Sequence, residues 1–340
     1  MKSVIIIAEA GVNHNGNLSM AFELIDAAAD AGADYVKFQT FRAETIVSKQ
    51  AKKAEYQKVN LKSDSDTQFE MLKSLEISFD DHFKLQEYCK ERNIGFLSTG
   101  FDDESVSFLA SMGIDYLKIP SGEITNKPYL KHVASQNKPI ILSTGMCTMQ
   151  EITAALDIIK SVGVPLTDLY ILHCNTEYPT PMGDVNLLAM LDIQKTLGVN
   201  VGYSDHTIGI EVPIAAVALG AIVIEKHFTL DKNLPGPDHA ASIDPIELKA
   251  MVQAIRNIEL AISSSGKKEP SASELKNILV ARRSLHLTKN LPKDHILGPD
   301  DLISLRPGTG ISPMEMEKVI GKKLNSDQPE FTMIKYEDIT

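Results

Sequence analysis

Short runs of β-branched, leucine and aromatic residues recur along the chain, and most are followed by a stretch with a different rhythm. They are SVIIIAEAG, DYVKFQTF, IGFLSTGF, DYLKIPSGE, PIILSTGM, LYILHCNTEYP, VNVGYSDHT and AIVIEKHFT. Mostly continuous apolar character predicts strands buried on both faces of a parallel sheet. Between them, SMAFELIDAAADAGA, FDDHFKLQEYCKERN and MQEITAALDIIKSVG repeat apolar residues every three to four positions, often with a closing Gly or Asn. That rhythm predicts amphipathic helices. Eight strand–helix units in about 260 residues match an α/β fold of the (β/α)8 TIM-barrel type in number and size. A doubly wound open sheet is the alternative.

The pattern breaks at SSSGKKEPSAS. Small, charged and proline residues there predict a linker. The expected division is a catalytic barrel over 1–262, a linker over 263–279 and a small β-rich domain over 280–340. A domain of about 60 residues is near the minimum for an independent core, so it is expected to pack on another surface. The second and third strands lie about twice the usual distance apart. The extra stretch, 42–67, is lysine-rich and polar, and reads as a solvated loop or as a flap over the barrel mouth.

Composition narrows the partners. The chain has 340 residues, is 43% hydrophobic and carries a formal charge of −11. A phosphate-backbone binder needs a basic face, so no nucleic-acid partner is expected. An anionic small ligand remains compatible if cations are gathered locally. The three cysteines, Cys89, Cys147 and Cys174, are widely spaced and predict reduced thiols rather than a disulfide framework. The longest apolar run, Val212 to Ile224, is too short to span a bilayer. No membrane partner is expected, and a cytoplasmic location is.

A TIM barrel places its active site at the C-terminal ends of the strands. Chemically capable side chains gather there: Glu9, Lys37, Gln39, Ser98, Lys118, Ser121, Glu123, Ser143, Thr144, Tyr178, Ser204, His206, Glu225 and His227. His206 and His227 close the last two strands. Neutral imidazoles from adjacent strands suit one divalent ion, with positions left for water and substrate. A single histidine there would be an ordinary core residue. Lys37 and Lys118 sit inside apolar runs, where an unpaired charge is costly. They read as anchors for phosphate or carboxylate, as a Schiff-base nucleophile, or as structural ion-pair partners. PSGE and LSTGM offer hydroxyls and loop amides for phosphate oxygens. Glu9 suits a general base or an acceptor for a substrate hydroxyl. His14 reads as a ligand contact or a turn residue, and His173 as a core histidine.

AEAGVNHNG, VKFQTF, LKIPSGE, LSTGM, LHCNTEYPTP, GYSDHT, EKHFTLDKNLPGPDHAAS and RPGTGISP, in this order, resemble the sialic acid synthase family over nearly the whole chain. The tail resembles the SAF, or antifreeze-like, domain. The resemblance implies a barrel followed by that domain. It implies a domain-swapped homodimer, with one chain's tail over the other's barrel mouth. The implied reaction condenses phosphoenolpyruvate with an open-chain N-acetylated mannosamine, releasing phosphate, with Mn²⁺ or Mg²⁺ required. N-acetylmannosamine is the expected acceptor, giving N-acetylneuraminate; a 2,4-diacetamido-2,4,6-trideoxymannose, giving N,N'-diacetyllegionaminate, is the alternative.

By the same resemblance, His206 and His227 hold the metal. Lys37, Lys118, Ser121, Ser143 and Ser204 hold phosphoenolpyruvate. Glu9, Glu123 and Asp238 surround the sugar and attacking water. Tyr178 flanks the substrate, and Arg306 reaches the sugar's N-acetyl group from the partner's tail. Gln39 is a further expected substrate contact. Two departures stand out: Gly100 replaces the family's usual proline, which predicts a looser loop, and the usual basic-Gly-Glu turn after His295 is missing. Rivals are a Schiff-base pyruvate lyase, a metal-dependent aldolase and a non-catalytic sugar- or ice-binding protein.

Overall fold

The computed structural model describes residues 3–48 and 67–340. Most of the stretch read as a loop or flap, 49–66, lies outside the described residues. The chain divides into two compact units, Met1–Ser264 and Ser265–Thr340.

In the first unit, eight parallel strands close on themselves in sequence order. They are β1 (Ile5–Gly11), β2 (Tyr35–Thr40), β3 (Gly95–Gly100), β4 (Leu117–Ile119), β5 (Ile140–Ser143), β6 (Leu169–His173), β7 (Asn200–Asp205) and β8 (Val223–His227). Closure is set by β8 pairing with β1, Ile5 opposite Val223 through Glu9 opposite His227. Several helices start where a short polar side chain satisfies free backbone amides. Asn17, Ser78, Asp102, Thr148 and Asp244 all do this. The continuous apolar strands are explained by their two buried faces: Ile6, Ile7, Val36, Ile119, Ile141 and Ile171 are all in the barrel core. At the strands' N-terminal end, Arg256 bridges Asp34 at 2.7 Å and Glu259 at 3.0 Å, fastening the last barrel helix to the first strand connection.

Gly100 ends β3 under tight constraint. A β-carbon there would sit 3.0 Å from both the Val106 amide nitrogen and its Cγ2. The Gly100 carbonyl also accepts from the Tyr129 hydroxyl, and the next amide donates to Thr40 at 3.1 Å. The looser loop expected from replacing proline is absent, because this backbone is pinned on both sides.

The second unit contains an antiparallel pair, β9 (Ser284–Leu287) and β10 (Leu302–Leu305), with Leu302 opposite Leu287. Leu285, Leu287, Leu297, Ile311, Val319 and Ile334 form its own core. The stretch read as linker holds the first part of a helix, Ala272–Ala281, begun by a Ser271–Glu274 capping box. Asp301 organises the turn near His295. Its carboxylate accepts from the Gly298 amide at 2.9 Å, His295 at 2.8 Å and Lys289 at 2.9 Å. Burial opposes its ionisation, but these three donors outweigh that and hold its pKa well below the usual carboxylate range. A depressed folded pKa gives stability that is present above the unfolded value and lost as pH falls toward the folded one. Replacing Asp301 with Asn should destabilise the full chain's C-terminal unit at pH 7 by on the order of 2 kcal/mol. The penalty should shrink at acid pH. Hydrogen exchange of Leu285 and Leu287 amides at pH 7 and pH 2 measures it; an equal penalty at both values contradicts the account.

Candidate active site

Strand alternation decides which side chains enter the barrel mouth. A two-residue period turns Glu225 and His227 to one face and Lys226 to the other. The resulting cavity has a volume of about 410 Å³. It brings together Glu9, Lys37, Gln39, Lys118, Ser121, Glu123, Ser143, Tyr178, Ser204, His206, His227 and Asp238. Of the expected site residues, Arg306 is elsewhere: it lies in the second unit, where its Nε donates to the Ala281 carbonyl at 3.0 Å. A larger hollow of about 630 Å³ opens at the strands' opposite ends, lined by Val4, Ile5, Tyr170, Asn200 and Leu260. It is mostly apolar, and none of the expected site residues line it.

The cavity floor is a closed charge network. Lys37 Nζ lies 2.6 Å from Glu9 and 3.6 Å from Glu225, and donates to Thr99 Oγ1 at 2.9 Å. Lys118 Nζ donates to Ser143 Oγ at 2.7 Å and lies 3.6 Å from Glu225. Ser204 Oγ donates to Glu225 at 3.0 Å. Burial pushes the Glu9 pKa up to about 7, with Lys37 opposing and Glu225 reinforcing the rise. Burial also disfavours charge on Glu225, but Lys118 and Lys37 outweigh it and keep that carboxylate ionised. Lys37, desolvated but between two carboxylates, stays protonated. Burial lowers the Lys118 pKa, with Glu225 opposing the fall. When Glu9 takes up a proton, the two lysines are opposed by Glu225 alone, and the floor then suits an anion.

The histidines stand at the rim of this network. Their ring centroids are 5.4 Å apart. His206 Nδ1 bonds the Asn175 carbonyl, which requires a proton on Nδ1 and leaves the Nε2 lone pair available. Nε2 lies 3.1 Å from the Tyr178 hydroxyl, and the two rings stack at 4.0 Å. His227 Nδ1 is buried with no hydrogen-bond partner. Burial lowers the His206 pKa to about 4 and the His227 pKa well below its ordinary value, so both rings are neutral. Neutral imidazoles with an available lone pair, one fixed by a carbonyl, fit a divalent ion. Among the described residues, no group of three or more His, Cys, Asp or Glu is placed to hold a metal. The donor set fits an ion completed by substrate oxygens or water.

Ser121 and Glu123 occupy one helical turn after β4. Ser121 Oγ accepts from the Gly145 amide at 2.9 Å and contacts Cys174 Sγ at 3.3 Å. Gly145 permits this approach, since a β-carbon would lie 2.5 Å from Thr176. Glu123 accepts from Asn126 at 2.6 Å. Asp238 is buried, and desolvation raises its pKa to about 6. Gln39 donates to Glu9 at 3.3 Å. Ser98 and Thr144 do not line the cavity: Ser98 bonds Thr40, and Thr144 donates to the Leu172 carbonyl. His14 is buried outside it, and His173 bonds the Val185 carbonyl.

Residues 24–267 match the NeuB family, and residues 282–340 match the SAF domain. The chain belongs to the NeuB family. It is 53% identical to the N,N'-diacetyllegionaminic acid synthase of Legionella pneumophila, over 98% of this chain and 94% of that one. It is 49% identical to the N,N'-diacetyllegionaminic acid synthase of Campylobacter jejuni, over 98% of this chain and all of the other. The N-acetylneuraminic acid synthetase structure from Leptospira borgpetersenii, solved with citrate, superposes with a TM-score of 0.70. It is 36% identical and covers 82% of this chain and 90% of its own. This NeuB-family chain is therefore a synthase of the sialic acid class with a C-terminal SAF domain. Among its described residues, no helix is long and apolar enough to cross a membrane.

Sequence reasoning left three contributors unassigned. Glu225 was noted, but its bridging place between two lysines needs the alternation on β8 to be carried through. Thr99 and Cys174 also line the cavity. Met71 and Leu75, which also line it, carry no polar signal.

Proposed function

We propose that this protein is an N,N'-diacetyllegionaminate synthase. It condenses phosphoenolpyruvate with open-chain 2,4-diacetamido-2,4,6-trideoxymannose and water, and releases phosphate. The identity of 53% and 49% to two synthases of that product, over 98% of the chain, carries the reading. It displaces N-acetylmannosamine, the acceptor first expected from the motifs.

Lys37 and Lys118 hold the phosphate and carboxylate of phosphoenolpyruvate, with hydroxyls from Ser121, Ser143 and Ser204 around them. The donor arrives as an anion, and the lysines offset its charge. Tyr178, Asp238 and Gln39 orient the sugar so that its aldehyde carbon meets C3 of phosphoenolpyruvate. Forming that C–C bond turns the aldehyde oxygen into an alkoxide, which takes up a proton to become a hydroxyl, and leaves a cationic C2, where water adds. The proton lost by water goes to Glu123 or Glu9; a Glu9 pKa near 7 suits a group that exchanges a proton at neutral pH. The C2–O bond to phosphate then breaks as the C2 hydroxyl gives its proton to the departing phosphate and becomes the product's ketone. His206 and His227 would hold the divalent ion, Mn²⁺ or Mg²⁺, which when bound supplies Lewis-acid polarisation of the aldehyde. By family likeness, Arg306 from a second chain's SAF domain completes the sugar site, so the functional unit is a homodimer in the cytoplasm.

Phosphate release with each acceptor, phosphoenolpyruvate and Mn²⁺ tests the proposal. The diacetamido sugar should show a kcat/KM at least about tenfold above that of N-acetylmannosamine. Equal or higher kcat/KM with N-acetylmannosamine overturns it.

A further inference from the structure

The cavity has two unlike sides. Its floor carries the lysines and carboxylates described above. Beside the polar Gln68, the wall over β1–β3 is instead apolar, formed by Val12, Ile46, Met71, Leu72, Leu75 and Phe101. These residues, with Phe41, make a hydrophobic cluster separate from the barrel core. Ile46, Leu72 and Phe101 are only partly buried within it. Their exposed area faces a cavity otherwise built for charged ligands, so core packing alone does not account for them.

The wall is also fixed in place. Thr67 and Glu70 form a capping box at the start of helix Gln68–Ser74. Beyond the helix, Glu76 accepts from the Ala43 amide at 2.7 Å. Lys73 ties Glu44 and Glu76 together, at 2.9 Å each. The helix bearing Met71 and Leu72 is thereby tied to the short helix Ala43–Ile46.

The two acceptors differ where such a wall would discriminate. N-acetylmannosamine carries hydroxyls at C4 and C6. The trideoxy sugar carries an acetamido group at C4 and a methyl at C6. Hydroxyls pressed on an apolar wall lose water without gaining partners. Methyl groups there gain by leaving water. The aldehyde end must reach the floor to react, so the C4–C6 end is the part left to meet the wall.

We infer that Ile46, Met71 and Leu72 form the specificity-determining surface for the acceptor's C4–C6 end and favour the deoxy, acetamido sugar. This rests on the acceptor assignment above. The polar variants Ile46→Thr and Leu72→Asn change partly buried positions, and Met71→Gln keeps side-chain volume. In each, the kcat/KM ratio of diacetamido sugar to N-acetylmannosamine should fall on the order of tenfold. KM for phosphoenolpyruvate should stay within about twofold of wild type, since the floor is untouched. Melting temperature and both rates are read together. A ratio unchanged in all three variants, with both acceptors falling in parallel, overturns the inference and makes the wall merely structural. Wild-type protein run alongside separates the two claims. A wild type that prefers N-acetylmannosamine removes the acceptor assignment, and the inference with it. A wild type that prefers the diacetamido sugar, with variants that leave the ratio unmoved, removes only the role of the wall.

Discussion

The His227→Ala enzyme should lose turnover by at least about a hundredfold while keeping its fold. Alteration of an outer-shell partner of a metal ligand already lowers affinity or activity about 10–100-fold, so loss of a ligand should exceed that. Stability has no matching reason to fall. His227 Nδ1 is buried without a hydrogen-bond partner. Removing the ring therefore removes an unsatisfied polar atom along with some packing. Two measurements decide the matter. Phosphate release at saturating phosphoenolpyruvate and acceptor gives the rate. Mn²⁺ titration followed by electron paramagnetic resonance gives the ion's affinity, independent of turnover. The expected result is weak Mn²⁺ binding, low turnover and a melting temperature within a few degrees of wild type. Tight Mn²⁺ binding with near-normal turnover would remove the two histidines from the proposed metal site. His206→Ala should match it in rate but lose more stability, because His206 also holds the Asn175 carbonyl and the Tyr178 hydroxyl.

The barrel was readable because its strands are buried twice. A strand with helices on one face and the barrel interior on the other must be apolar nearly throughout, and β1, β5 and β6 are so written. Interruptions in such runs therefore carry information. Lys37, Lys118, Ser204, Glu225 and His227 are polar residues in strands that otherwise repel polarity, and all five line one cavity. Lys226 shows the limit of that rule. It interrupts β8 just as Glu225 does, yet it pairs with Asp205 outside the cavity. Composition cannot separate the two residues; the phase of the strand can. The apolar wall was harder to see for the opposite reason. Met71, Leu72 and Leu75 look like any amphipathic helix face, and only the fold shows that this face borders the ligand cavity. Position in sequence also hid the network's connectivity. Lys37 and Glu225 are 3.6 Å apart across the barrel, and neither shows its partner locally.

Asp205→Ala should cost the barrel about 3–5 kcal/mol, the largest stability loss expected of a single polar substitution here. Asp205 and Lys226 face each other in register on β7 and β8. Their charged atoms are 2.6 Å apart, and both side chains have 0% exposure. Such a pair gains little over an apolar pair, because desolvating two charges offsets their attraction. Breaking it is different. Alanine at 205 leaves the Lys226 ammonium buried with the Thr207 carbonyl as its remaining acceptor. The Thr207 amide and hydroxyl, which donate to Asp205 at 3.1 and 3.0 Å, also lose their acceptor. For a unit of this size the loss should lower the melting temperature by roughly 10 °C. A double variant, Asp205→Leu with Lys226→Met, should recover part of it by removing both charges together, while the Thr207 amide and hydroxyl still lack their acceptor. Activity should separate from stability in that variant. Thr207 follows His206 directly, and its bonds to Asp205 set the backbone that presents the imidazole. The double variant is therefore expected to melt above Asp205→Ala yet turn over slowly, with weakened Mn²⁺ binding. A single Asp205→Ala variant that melts within about 3 °C of wild type would contradict the energetic argument. A stable double variant with full turnover would show that the pair supports the wall of the barrel and not the histidine beside it.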